Sequence, residues 1–171
     1  DTLAAQITQG APVDVFASAN TSTMDTVVKA NDAKSPTNFA KNALEIAVPP
    51  GNPKGITSLA DLTKSGVKLA LCASSVPCGS AAAKAFAAAG ITPKPVTLEQ
   101  DVTSVLTKVE LGEVDAGMVY QTDVKGAGGK VDGVDFPEAS SAINTYPIAS
   151  VSTGKNADGG AAFVAFVLSS D

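Results

Sequence analysis

The chain contains no arginine and no histidine; all 12 of its basic residues are lysine. Without arginine it cannot form the planar, two-pronged clamp that many phosphate and carboxylate sites use. Without histidine, the Ser-His-Asp and Cys-His forms of nucleophilic catalysis, histidine general-base chemistry and His-ligated zinc are excluded within this chain. Charge is scarce, at 17% of residues, and its balance is acidic, with a formal net charge of −5. No basic cluster breaks that pattern, which argues against a nucleic-acid partner. No apolar run is long enough to span a bilayer, and neither a signal peptide nor a lipid-attachment cysteine is present, so we expect any export signal to have been removed. Cysteine is limited to Cys72 and Cys78. Their spacing suits neither a CxxC redox motif nor a four-cysteine zinc site, and leaves a local disulfide or two free thiols. We expect the disulfide, which across so short a loop contributes about 2 kcal/mol in the chain-entropy model and implies an oxidising compartment.

What remains is a globular composition, 44% hydrophobic over 171 residues, enough for one large domain or two small lobes. The spacing predicts a helix over residues 1–10 opened by an Asp1 or Thr2 cap, a strand over 13–17 and a helix from Thr23 to about Lys29. Residues 31–41 are polar and read as loop with a short helical turn. Strands follow at 43–48, 67–71, 95–98, 114–120, 131–136 and 146–151. Between them lie a short helix at 59–64, an alanine-rich helix from about Ser80 to Ala89 closed by Gly90, and an amphipathic helix after Asp101. Asp158 reads as the cap of a final helix ending near Leu168. Such alternation calls for an α/β architecture with mainly parallel sheets.

In such sheets ligands sit at the carboxyl ends of strands, facing helix N-termini. Three places meet that description. The run Cys72-Ala-Ser-Ser-Val-Pro-Cys-Gly-Ser80 leaves a strand and enters a helix whose open N–H groups and dipole suit an anion. Asp101-Val102-Thr103 opens the next helix, and Tyr120 stands at a strand end. Taken singly, each has a plainer reading: a loop with a Ser cap, a core valine, a half-buried aromatic. Asp101, beside a bound anion, has to be turned away, and we read it as its helix's N-cap.

Certain runs carry a resemblance: Thr2-Leu-Ala-Ala-Gln-Ile7, then Gly10-Ala-Pro-Val-Asp-Val-Phe-Ala-Ser-Ala19, then Gly112-Glu-Val-Asp-Ala-Gly-Met-Val-Tyr120 with Thr122-Asp123. They resemble the extracytoplasmic substrate-binding proteins of ABC transporters, specifically the molybdate-binding (ModA-type) family, over nearly the whole chain. The resemblance implies a two-lobed α/β periplasmic-binding-protein-like fold (type II), lobe I formed by 1–43 and 147–171 and lobe II by 44–146. It further implies a hinge near residues 42–47 and 146–148. The implied ligand is a tetrahedral oxyanion, molybdate or tungstate, held by the backbone N–H groups of Cys78 and Val102 and the hydroxyl of Tyr120. No further cofactor is implied. The implied partner is a transporter permease in the membrane, with the binding protein itself monomeric and periplasmic or at the cell surface, a lipid anchor in a full-length form being one alternative. The family more often has a small residue such as alanine at the position of Cys78, so a Cys72–Cys78 disulfide is a departure. Two serine-bearing loops of the family lie upstream of the Thr-Leu-Ala motif, from which we expect an N-terminally truncated chain with lobe I incomplete.

Other readings compete. A relative of the same fold would take sulfate, phosphate or a small organic anion. A thiol-dependent enzyme built on Cys72 and Cys78 wants a shorter cysteine spacing, and a serine hydrolase at Ser80 lacks a histidine base. A purely structural or adhesive domain would bind no anion at all.

Overall fold

A computed structural model describes residues 2–169. Its contacts divide the chain into two units, Asp1–Lys41 with Asn144–Asp171, and Asn42–Ile143.

In the first unit, helix α1 (Thr2–Thr8) leads to strand β1 (Val15–Ala17) and helix α2 (Thr21–Lys29). The Asp1 cap expected for α1 lies outside the described residues. Asn20 caps α2, its side-chain oxygen accepting from the Thr23 N–H at 2.8 Å. Strand β2 (Thr37–Asn42) follows, where the polar sequence predicts a loop and a helical turn. It runs along the edge of a three-stranded sheet ordered β1, β8, β2, with β8 spanning Asn144–Ser150 and antiparallel to β1. An edge strand has one free flank and tolerates polar residues, so Thr37-Asn-Phe-Ala-Lys-Asn42 pairs without an apolar pattern to announce it. Its Phe39 ring lies 6.3 Å from that of Tyr146. Ile7, Phe16, Met24 and Val27 fill the core of this unit. The final helix, α6 (Ala157–Val167), is capped by Asn156 rather than Asp158: Asn156 accepts from the Gly159 N–H, while Asp158 falls inside the first turn. Phe163 and Phe166 of α6 are exposed.

The second unit carries β3 (Leu44–Val48), a 3-10 turn at Ala60–Thr63, β4 (Leu69–Cys72), α3 (Pro77–Ala89), β5 (Thr97–Glu99) and α4 (Val102–Glu110). After these come β6 (Ala116–Tyr120), α5 (Gln121–Gly126), β7 (Asp132–Val134) and a 3-10 turn at Pro137–Ala142. The sheet order is β5, β4, β6, β3, β7. Helical crossovers make the β4–β5 and β4–β6 pairs parallel, but β3 enters between β6 and β7 in the opposite sense and pairs antiparallel with both. The expectation of mainly parallel sheets is thereby corrected: both sheets contain antiparallel pairs. Apolar side chains explain why β3, β4 and β6 lie deepest: Leu44, Ile46, Leu69, Met118 and Val119 are all buried. Val105 and Val109 of α4 pack down on Gly117 of β6, where a Cβ would come within 2.7 Å of Val105 Cγ1.

The turn before β4 is tied by Asp61. Its Oδ2 accepts from the Thr57 N–H (2.9 Å) and from the hydroxyls of Thr57 and Ser58 (3.0 Å each), and its Oδ1 meets Lys64 Nζ at 2.6 Å. The bond from Lys64, with those from Thr57 and Ser58, holds this carboxyl well below its usual value of 3.8, against the opposing effect of burial. A folded-state pKa below the unfolded one means stability that is complete above about pH 4 and drains away as pH falls toward the folded value. We expect Asp61→Asn to lose about 1–2 kcal/mol at pH 7, the gap to the parent narrowing steadily as pH falls from about 4 to about 2. Urea unfolding midpoints across that range check it, and a gap independent of pH would contradict the assignment.

Candidate functional site

Strand register aligns the carboxyl ends of β4, β5 and β6 along one edge of the five-stranded sheet; Tyr120 stands at one of these ends, and Cys78 and Val102 lie in the first turns of the helices that follow the other two. Cys72, the last residue of β4, pairs with Glu99, the last of β5. On the other flank Ala70 pairs with Gly117, which puts Cys72 level with Val119 and one residue short of Tyr120, the end of β6. Helices α3, α4 and α5 all start from this edge. Cys78 and Tyr120 are buried there, and Val102 is half-buried.

Helix α3 starts three residues earlier than the sequence pattern predicts. Proline is favoured at the first helical position, and Pro77 occupies it, so Cys78 and Gly79 take the second and third. The Ser cap of the plainer reading is absent: the N-cap is Val76, which has no side-chain acceptor, and Ser80 sends its N–H to the Val76 carbonyl. The Cys78 and Gly79 N–H groups therefore have no acceptor among the described residues. Gly79 has an ordinary φ; its value is room. A Cβ there would strike the carbonyl of Ala73 and come within 2.7 Å of that of Cys72. The disulfide is present, joining Cys72 to Cys78 with their Cα atoms 5.8 Å apart.

At α4 the arrangement differs. Asp101 caps the helix as its position implies, accepting from the Ser104 N–H (2.7 Å) on one oxygen and from the Ser104 hydroxyl (3.0 Å) on the other. Its charge is thus turned into its own helix, and the N–H groups of Val102 and Thr103 stay open. Neither α3 nor α4 has an acidic residue in its first turn. Gly79 and Thr103 lie inside two of the runs that the sequence singles out, but nothing marks them there as donors, because a backbone N–H is common to all residues and only helix phase distinguishes it.

Tyr120 pairs with Leu44 of β3, and its N–H donates to Asp123 Oδ2 at 2.9 Å. Burial pushes the Asp123 carboxyl up from its usual range, the Tyr120 bond opposing in part. A hollow of about 290 Å³ flanks α4, lined in part by Thr103, Ser104 and Lys108. Its lysine is already neutralised: Lys108 Nζ lies 3.2 Å from Glu113 Oε2 and 3.8 Å from Glu99 Oε1, and Glu113 foremost raises its pKa. The open donors at the starts of α3 and α4 are backbone N–H groups, which carry no formal charge.

A mixed α/β chain with open helix N–H groups at the carboxyl ends of parallel strands has the makings of a solute receptor. Over residues 1–171 it matches the family model described as bacterial extracellular solute-binding protein, and the chain belongs to that family. The molybdate-binding protein ModA of Mycobacterium tuberculosis is 51% identical over 148 residues, which are 86% of this chain and 57% of that protein. The chain thus spans a little over half the length of that relative. Among solved structures, the periplasmic molybdate-binding protein of Azotobacter vinelandii superposes with a TM-score of 0.82 at 18% identity, covering 98% of this chain and 77% of the other. The tungstate ABC transporter structure from Geobacter sulfurreducens gives 0.77 at 18%, covering 99% and 78%. At that identity the two structures speak for the fold. Among the described residues no helix is long and apolar enough to cross a membrane.

Proposed function

We propose that this protein captures a tetrahedral oxyanion, molybdate or tungstate, outside the cytoplasm and delivers it to the membrane permease of an ABC transporter. It acts as a monomeric carrier: no bond in the guest is made or broken. The observation that carries the reading is the set of four open N–H groups, on Cys78, Gly79, Val102 and Thr103, at the starts of two helices rising from adjacent parallel strands. Each hydrogen bond to a charged group is worth about 1.5–3 kcal/mol, so four supply roughly 6–12 kcal/mol against the roughly 8 kcal/mol that a micromolar dissociation constant requires. Neutral donors backed by two helix dipoles reach that requirement over the upper part of this range, without arginine or an ion pair. The likeness to the mycobacterial molybdate-binding protein supports the choice of ion over sulfate and phosphate.

Calorimetric titration with molybdate, tungstate, sulfate and phosphate tests this. Heat with the first two is expected; heat with sulfate or phosphate alone reassigns the ligand, and silence with all four rejects the reading. Tyr120→Phe should weaken binding by about 1–2 kcal/mol through loss of its hydroxyl. An unchanged affinity removes that hydroxyl from the site.

A further inference from the structure

An N-cap side chain ordinarily fixes the start of a helix by accepting from the N–H of the second or third residue. On α3 that would consume the Cys78 or Gly79 N–H. Val76 has no such acceptor, and the turn is held in two other ways. The Cys78 side chain is bonded to Cys72 at the end of β4, both cysteines being buried, and Gly79 lies so close to the Ala73 carbonyl that no side chain fits between them. Covalent anchorage and backbone packing immobilise the turn and leave both donors unoccupied. At α4, in contrast, an ordinary Asp101 cap takes the Ser104 N–H and leaves the first two free.

Resting on the oxyanion reading above, we propose that the Cys72–Cys78 disulfide is a positioning device for the ligand: it replaces the missing cap of α3 and keeps the Cys78 and Gly79 N–H groups preorganised for the anion. Cys72, which need not touch the ligand, is then a positioning residue. Opening the bridge with a dithiol transfers two electrons and two protons to the cysteines, the reductant closing to its own disulfide, and frees the turn.

The test is titration with tungstate of the oxidised protein, of protein reduced by a dithiol and desalted without oxygen, and of the same sample reoxidised. Affinity should fall tenfold or more on reduction and return on reoxidation. In the anion-free reduced protein the backbone NMR order parameters of Cys78 and Gly79 should fall, with those of Val102 and Thr103 unchanged. The Cys72→Ala, Cys78→Ala double variant should show the same loss. Affinities within twofold of each other in folded oxidised and reduced protein overturn the proposal. Loss of the whole fold on reduction also overturns it, because the bridge would then act on the entire unit and not on the donor pair. An oxidised protein that takes up no oxyanion overturns the functional reading beneath it, so the two failures are told apart.

Discussion

Replacing Gly79 by alanine should lower the stability of the second unit by about 3 kcal/mol, at the upper end of what overpacking usually costs. The magnitude follows from what the new methyl would meet. Its neighbours are the backbone carbonyls of Ala73 and Cys72, with no flexible side chain to swing aside. Ala73 cannot retreat, because its N–H donates to the Glu99 carbonyl at 2.8 Å and its own carbonyl accepts from the Val76 N–H at 3.1 Å. The helix cannot retreat either, since Cys78 is bonded to Cys72 one position away. Gly126 is the matched control: it sits in α5, and a methyl added there would have nothing within 4 Å, so Gly126→Ala should be neutral or stabilise by up to about 1 kcal/mol. Urea unfolding of both variants beside the parent measures the difference, and equal midpoints would mean that the α3 turn is looser than its packing implies.

The strands that make the site edge are legible in the sequence because burial on both faces leaves near-continuous apolar runs, as in Leu69-Ala-Leu-Cys72 and Ala116-Gly-Met-Val-Tyr120. Their direction is not. Leu44-Glu-Ile-Ala-Val48 reads the same whether it enters the sheet parallel or antiparallel, so nothing in its pattern announces the reversal at β3. At α3 the signal exists and is outweighed. Pro77 marks the first helical position, but the alanine run beyond Ser80 draws the expected start downstream, and nothing in the sequence announces the close approach that Gly79 makes. Asp101 is legible because an acidic cap ahead of an amphipathic stripe is written in side chains. Open N–H groups are written in none, and the Cys78–Gly79 pair emerges only once the cap of α3 is seen to be a valine.

Val102→Pro should reduce oxyanion affinity tenfold to a hundredfold, about 1.5–3 kcal/mol, while shifting stability by no more than about 1 kcal/mol. Proline at the first position of a helix deletes one N–H that the helix itself does not use, and its fixed φ suits that place. The residue before it must be extended, and Asp101 already is, at φ −153° and ψ 162°. The capping bond from the Ser104 N–H to Asp101 lies beyond the substitution and is retained. The ring keeps part of the packing that Val102 gives to the core, which limits the loss of stability. A carrier that held its anion by lysine charge would behave in the opposite way: Val102→Pro would be silent, and Lys108→Gln would abolish uptake. With Lys108 already engaged by Glu113 and Glu99, the expected order is strong loss at Val102 and little change at Lys108. The two variants titrated with the same molybdate stock therefore separate a site built from backbone dipoles from one built on net charge.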